Sequence, residues 1–215
     1  LVAKTIPVGL KEVNTAEEFV AYAARVSNPA NQHNSETAPK LLKYLMNNRH
    51  WSPFEMVHLV MEIVTTRDIA HQILRHRSFS FQEFSQRYAN VKDMGFVYRE
   101  ARMQDPKNRQ ASTETDDREL SLMWENHQID VAVQAKKVYE WAINNNIAKE
   151  QARVVLPEGM TVSRLYMAGT LRSWIHYCGP RSEMSTQKEH REVAIQAREI
   201  IATEFPSIST ILKGE

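Results

Sequence analysis

Apolar positions recur along this chain with two different periods. Thr15-Ala16-Glu17-Glu18 has the form of a capping box, and Phe19, Tyr22 and Val26 follow at helical spacing. Ser27 to Glu36 is rich in turn formers and reads as a loop. Thr37-Ala38-Pro39 opens a second helix, with Leu41, Leu42 and Leu45 as its buried stripe. Residues 56–64, MVHLVMEIV, alternate as a strand does. Val57, Leu59, Met61 and Ile63 form one face, and the mixed set Met56, His58, Val60, Glu62 and Val64 forms the other. The spacing then predicts a helix from about Thr66 to Arg77, with Ile69, Ala70 and Ile73 facing inward.

Residues 1–9 read as a short strand ending near Gly9, and residues 96–98 as a further strand. Residues 102–118, RMQDPKNRQASTETDDR, carry no apolar stripe and predict a long surface loop. A long helix follows from Asp117 to about Ile143, with Leu120, Trp124, His127, Val131, Val138 and Ala142 in period; Asn144-Asn145-Asn146 ends it. A short helix over Ala148–Arg153, a mixed segment at 160–169 and a helix starting near Thr170 come next. Gly179-Pro180 is expected to break that helix, and the last helix spans about Thr186 to Glu204 and stops at Pro206. Helices and strands do not alternate regularly, which predicts an α+β fold rather than a doubly wound sheet.

Composition bounds the function. The 215 residues suit a single domain, 1–215. With 27 basic and 26 acidic side chains the chain lacks the basic excess of a nucleic-acid coat. One cysteine excludes an internal disulfide and a Cys-rich zinc site. Six glycines argue against glycine-rich phosphate loops. The opening stretch is interrupted by Lys4, Pro7, Lys11 and Glu12, so no signal or spanning segment is predicted, and a reduced cytoplasmic setting is expected, in a host cell if the source is a virus. His71 and His76 are five apart, and no carboxylate–histidine set has ligand spacing, so no metal is predicted. His58 and His127 read as core or interface histidines.

Chemistry concentrates at residues 72–88, QILRHRSFSFQEFSQRY. Arg75 and Arg77 cannot share a helical face, because neighbours on a face are three or four apart. A helix ending here fans the guanidinium groups out, ready to hold phosphate or planar imide groups bidentately. Serine hydroxyls and loop N–H groups can complete an anion pocket. The bland alternative is a solvated, cationic helix C-terminus favoured by the helix dipole.

The string resembles the signature of the flavin-dependent thymidylate synthase family: Arg75-His76-Arg77, then seven residues, then Ser85, inside RHR-x-x-S-x-x-E-x-S-x-R-Y. ARVSNP at 24–29, HWSPFE at 50–55, ARVVLP at 152–157, LRSWIHYCGPR at 171–181 and TQKE at 186–189 are similar to further segments of that family, in the family's order. The resemblance implies a single α+β domain with a central, mostly antiparallel sheet flanked by long helices, assembling as a homotetramer. It also implies an activity. Deoxyuridylate (dUMP) becomes thymidylate (dTMP), methylenetetrahydrofolate supplies the carbon, and FAD reduced by NADPH supplies the hydride, with no cysteine nucleophile. Cys178 accordingly reads as a packing residue.

Position by position, the resemblance gives dUMP contacts to Gln72, Arg75, Glu83, Phe84, Ser85, Gln86, Arg87, Arg153 and Arg181. Arg181 is the catalytic residue, a fixed cation that favours the uracil anion and so makes C5 more nucleophilic. The implied FAD contacts are Ser52, Arg75, His76, Arg77, Glu83, Arg172 and His176, with Ser27 a lesser candidate and with sites shared between subunits. His50 and His76 match histidines near the flavin and folate. The chain departs from the family at Thr170 (usually Asn), Gln82 (usually Asn) and Pro180 (usually aliphatic), and 157–170 carries one extra residue. Glu55 reads either as a turn cap or as part of the flavin site. Two other classes stay open at this point. One is a nucleotide- or RNA-binding module stacking bases on Phe79, Phe81 and Phe84, and the other is a structural oligomer subunit.

Overall fold

The Thr15 capping box forms as the sequence predicts in the computed structural model, which describes residues 1–89 and 95–213. Thr15 Oγ1 accepts the Glu18 N–H at 3.1 Å, and Glu18 accepts the Thr15 N–H at 2.9 Å. Helices α1 (Ala16–Ala24), α2 (Ala38–Asn47), α3 (Arg67–Ile73), α4 (Arg118–Asn144), α5 (Lys149–Ala152), α6 (Leu171–Arg181), α7 (Lys188–Glu204) and α8 (Ser209–Lys213) mix irregularly with strands. The strands are β1 (Ala3–Lys4), β2 (His58–Thr66), β3 (Ser80–Glu83), β4 (Arg102–Gln104), β5 (Ser112–Glu114) and β6 (Val162–Thr170). One sheet has the order β1-β2-β6-β3, and β4 and β5 form a second. β1 pairs antiparallel with β2, Ala3 opposite Val60 and Lys4 opposite Leu59. The expected mixed α+β architecture with an antiparallel sheet is present.

The chain divides into two compact units. The first comprises residues 1–62, 76–81 and 166–215, and the second comprises 63–75 and 82–165. In the first unit Val20, Leu42, Phe54, Leu59, Met167, Leu171, Trp174, Ile201 and Phe205 are fully buried. Burial of this kind is worth about 1.5–3 kcal/mol per large side chain. α6 packs on α7, and α1 on α2. The buried indole N–H of Trp174 is satisfied by the Leu59 carbonyl at 3.2 Å. Arg25, from the ARVSNP segment, is also buried; it donates to Thr37 Oγ1 at 2.7 Å and to the Asn34 carbonyl, and so ties down the 27–36 loop.

In the second unit the start of α3 is held from several sides. The Arg67 N–H reaches the Thr161 carbonyl at 3.0 Å. Arg99 Nη2 donates to both Asp68 oxygens at 2.9 and 2.8 Å and to Thr66 Oγ1 at 3.0 Å. The Gln128 amide both donates to and accepts from the Arg99 backbone at 2.8 Å. Charge-assisted bonds of this kind, linked in a network, hold the helix start more firmly than separate pairs do.

Several expectations are corrected. β1 is only two residues long, because Pro7 and the turn at Gly9 (φ 73°) follow it. α3 stops at Ile73, not Arg77. The chain turns, with the Phe79 N–H on the His76 carbonyl at 3.3 Å, and enters β3, which the sequence reading left as loop. Residues 102–118 contain a hairpin, β4-β5, with Arg102 opposite Glu114 and Gln104 opposite Ser112. Its strands are almost wholly solvated, so no apolar stripe announces it. The turn is polar chemistry: Asp105 accepts the N–H groups of Asn108 and Lys107, which hold its carboxyl below the usual range. The mixed segment at 160–169 is strand β6, with Ser163, Leu165, Met167 and Gly169 buried on one face. Phe96 makes only an isolated bridge to Thr161. α6 runs through Gly179-Pro180; Pro180 lies in its last turn, and the Ser182 N–H still closes on the Cys178 carbonyl at 3.0 Å. α8 was not anticipated. His58 and His127 are both exposed.

The face of α4 also differs. Its buried positions are Gln128, Ala132, Ala135, Tyr139 and Ala142, while Leu120, Trp124 and Val131 of the expected stripe are exposed. The 3.6 period holds, but the inward face is built from three alanines with Gln128 and Tyr139, and Leu120, Trp124 and Val131 turn outward.

Gly169 fixes where the arginine-rich segment sits. A Cβ there would lie 2.4 Å from the Phe79 ring, which itself packs on Trp174 with centroids 4.9 Å apart. Gly169→Ala is therefore expected to displace Phe79 and cost about 1–3 kcal/mol by overpacking. Thermal melts test this, and the loss should shrink in a Phe79→Ala background.

Candidate active site

Thr170 Oγ1 accepts the Ser173 N–H at 3.1 Å and caps α6, an N-cap role the family's asparagine can also fill. The helix turns Leu171, Trp174, Ile175, Tyr177 and Cys178 inward. Arg172 and His176 are four apart and share the other face. Arg172 ion-pairs with Glu55 of the short 3-10 turn over Ser52–Met56. His176 lies edge-on to Trp51, centroids 4.6 Å apart and planes at 82°. Burial and the Arg172 cation both lower its pKa, so the imidazole stays neutral near pH 7. Ser52 opens the same turn and is exposed. Ser52, Arg172 and His176, three predicted flavin contacts, thus belong to one assembly of the first unit. His50 packs its edge on Tyr44 at 5.9 Å.

A second assembly of the first unit lies at the end of α6. Arg181 Nε donates to His76 Nε2 at 3.1 Å. His76 stands edge-on to the Tyr177 ring, centroids 4.9 Å apart at 85°. The Tyr177 hydroxyl is 3.1 Å from His190 Nε2, and the His76 and His190 rings are 6.0 Å apart. Burial first, then the nearby Arg181 and His76, lower the His190 pKa to about 4. Burial drives the Tyr177 phenol well above its usual range and pushes the Cys178 thiol up to about 12. Cys178 is therefore a neutral, buried thiol at physiological pH, as a packing residue is. Arg77 is exposed.

The second unit carries the remaining predicted residues. Glu83, at the end of β3, is gripped on one oxygen by Ser163 Oγ at 2.7 Å and by Arg67 at 3.4 Å. The Phe84 N–H bonds to the Arg164 carbonyl at 2.8 Å. The Ser85 carbonyl accepts the Tyr88 and Ala89 N–H groups and closes a turn. Ser85 and Arg87 line a 430 Å³ cleft with Tyr88, Lys149 and Glu150. Arg87 pairs with Glu150 at 3.4 Å, and Lys149 donates to the Tyr88 carbonyl at 2.9 Å. Arg153 follows α5 and reaches the Glu150 carbonyl at 3.4 Å. Gln86 is buried, Gln72 is half-buried near the end of α3, and Arg75 is exposed.

The predicted dUMP set therefore lies in the second unit except for Arg181. The predicted FAD set lies in the first except for Arg75 and Glu83. Sequence reasoning passed over Arg67, Ser163, Lys149, Tyr177 and His190. Lys149 stands four before Arg153, a helical spacing that was legible. Ser163 was hidden by the unread strand β6. A 770 Å³ cleft beside the hairpin, lined by Arg99, Glu114, Asp116 and Arg118 among others, includes none of the predicted residues. Among the described residues, no three His, Cys, Asp or Glu side chains are placed to hold a metal ion, and no helix is long and apolar enough to cross a membrane.

An α+β fold with a cleft lined by Arg87 and Lys149 and a buried, neutral Cys178 suits an enzyme that takes an anionic substrate and needs no thiol. The comparisons narrow it: residues 10–207 match the family model described as thymidylate synthase complementing protein, and the chain belongs to this family of flavin-dependent thymidylate synthases. It is 48% identical over 212 residues to a probable flavin-dependent thymidylate synthase of Paramecium bursaria Chlorella virus 1, covering 99% of this chain and 97% of that one. It is 49% identical over 197 residues to the flavin-dependent thymidylate synthase of Synechocystis sp., covering 92% and 89%. Among solved structures it is similar to a UMP/dUMP methylase, PolB from Streptomyces cacaoi, bound with 5-Br dUMP. The TM-score is 0.75 and the identity 25%, covering 96% of this chain and 95% of that one. The family match favours the enzyme over the RNA-binding module.

The neutral His190 gives a pH dependence with a definite sign. Its folded pKa, about 4, lies below the ordinary 6.5. Between those values the unfolded chain binds more protons, so stability falls as pH drops through that window. His176, shifted in the same direction, adds with the same sign. His190→Gln keeps a polar tip for Tyr177 but does not titrate. Its melting temperature should fall less steeply from pH 6.5 to 4 than the wild type's, and equal slopes would contradict the assignment.

Proposed function

We infer that this chain, acting as one domain over residues 1–215, is a flavin-dependent thymidylate synthase that converts dUMP to dTMP. The balanced reaction consumes methylenetetrahydrofolate, NADPH and a proton and yields tetrahydrofolate and NADP⁺. The observation that carries this reading is the near full-length similarity to a probable flavin-dependent thymidylate synthase and to a flavin-dependent thymidylate synthase. FAD, when bound and reduced by NADPH, would supply the hydride for the new methyl group. The donor set fits such a dinucleotide: the exposed Ser52 hydroxyl, the Arg172 guanidinium and the neutral His176 offer hydrogen bonds and charge to phosphates and ring edges. Arg77 adds an exposed cation to the same unit.

Ser85, Arg87, Lys149 and Arg153 hold the phosphate monoester of dUMP, with Arg87 exchanging its exposed Glu150 partner for the substrate. Glu83, fixed by Ser163 and Arg67, orients the nucleotide through its second oxygen. Gln72, Arg75, Phe84 and Gln86 complete the nucleotide site. Arg181 presents positive charge to the uracil imide, stabilises the anion that develops there and raises the nucleophilicity of C5. No thiol is asked to attack C6, in keeping with the buried Cys178. The deciding measurement is turnover of FAD-loaded protein. Arg181→Ala should abolish dTMP formation while keeping its flavin absorbance, and Cys178→Ala should remain active. Colourless protein that cannot take up FAD would sink the reading.

A homotetramer with shared sites belongs to the same proposal. Its support is the band Leu120, Met123, Trp124, Val131 and Trp141 along α4, with Val131 52% and Trp141 59% exposed. A contiguous apolar face of this kind is characteristic of an interface. Trp124→Glu combined with Val131→Glu should reduce the mass measured by light scattering and lower the FAD content. An unchanged mass would place the interface elsewhere.

A further inference from the structure

Arg181 can only donate hydrogen bonds, and this constrains everything it touches. Its Nε–H points at His76 Nε2, 3.1 Å away, so that nitrogen must be the acceptor. The proton of the neutral imidazole then sits on Nδ1, and an imidazolium would set N–H against N–H. The orientation of His76 thus decides where the Arg181 guanidinium lies.

The first unit supplies groups that fix that orientation. The His76 and Tyr177 rings meet in a T-shaped contact, planes at 85° and centroids 4.9 Å apart. Tyr177 is 2% exposed and His190, on α7, is 1% exposed, with 3.1 Å between the hydroxyl and Nε2. Phe79 and Trp174 pack on the same Tyr177 ring, with centroids at 6.0 and 5.9 Å. A buried hydroxyl and imidazole joined in this way have few alternative arrangements, because separating them strands two polar groups without water. Burial keeps both uncharged, so the pair adds no cation to compete with Arg181.

We propose that Tyr177 and His190 are positioning residues: their hydrogen-bonded pair fixes the plane of His76, and His76 anchors Arg181 through Nε so that the guanidinium engages the substrate with its two terminal nitrogens. This rests on the reading of Arg181 as the uracil-facing cation. It adds a support that the sequence motifs do not contain, because Tyr177 and His190 carry no role in them. A guanidinium held at Nε keeps both terminal N–H₂ groups in one plane, as bidentate contact with an imide requires.

The test is a double-mutant cycle read as dUMP affinity of FAD-loaded protein, which stays measurable when turnover is lost. Tyr177→Phe keeps the ring and its packing and removes only the hydroxyl. It should weaken dUMP binding about fivefold, the ratio one intramolecular hydrogen bond is worth. In an Arg181→Ala background the same change should have no further effect. Equal losses in both backgrounds, or no loss in either, would overturn the positioning role. No loss of affinity or turnover on Arg181→Ala would instead overturn the reading of Arg181 beneath it, and the proposal with it. His190→Gln should bind dUMP more tightly than His190→Leu, because the amide can still meet the Tyr177 hydroxyl; no difference between them argues against the pair. Histidine ¹⁵N spectra give a readout independent of substrate. His76 should carry its proton on Nδ1 with Nε2 bare, and an Nε2–H tautomer would refute the anchor.

Discussion

The place of the arginine-rich segment depends on one aromatic ring. Phe79 occupies the space a side chain at position 169 would need, and it packs against Trp174 and Tyr177. An aromatic side chain in such a cluster is held by contact area and by ring geometry together. Because Phe79 is fixed, the turn that begins at His76 is fixed, and His76 meets Tyr177 and Arg181. The local helical preference of residues 74–77 loses to this docking. Even half-buried, a phenylalanine packed in this way outweighs the small helical propensity of one more turn.

Burial then sorts the titratable groups on and around α6 by charge. Tyr177, Cys178 and His190 lie inside, and desolvation keeps each in its neutral form. Arg172 and His176 lie on the open face, and Arg181 stands at the helix end. A cation beneath these positions would repel the arginines, and an anion would neutralise them. Neutral dipoles do neither: they set direction without drawing charge away from a nucleotide. Glu83 follows another rule. It is a carboxylate beside a cation, and Arg67 together with Ser163 pins one of its oxygens.

How much of this was legible varies with the kind of signal. Thr15 and Glu18 announce α1 because a capping box is local chemistry. β2 was legible from its alternating Leu59, Met61 and Ile63. β6 was not, because two of its inward positions are Ser163 and Gly169, which look polar or neutral in sequence but are buried for contact with Glu83 and Phe79. The hairpin at 102–114 has no inward face to read. On α4 the large residues Trp124 and Val131 drew the prediction, and of that stripe Ala142 does face inward, but Ala132 and Ala135 lie inward where Trp124 and Val131 do not. Motif resemblance supplied the roles of the arginines. It could not supply Tyr177, His190 or Ser163, whose parts depend on tertiary placement.

The division of the candidate residues between two units has a physical consequence of its own. Residues 75 and 76 are neighbours in sequence, yet Arg75 belongs to the unit that carries Ser85, Arg87 and Arg153, and His76 to the unit that carries Arg181. The motif Arg-His-Arg is therefore a covalent junction rather than one cluster of like charges. Three cationic or cationisable side chains held side by side would repel one another and have to be offset by counter-ions. At a junction each is taken up by different surroundings. His76 accepts the Arg181 Nε–H, while Arg75 and Arg77 are exposed. Elsewhere the arginines do have acid beside them, Glu150 at Arg87 and Glu55 at Arg172, in keeping with a chain of almost no net charge.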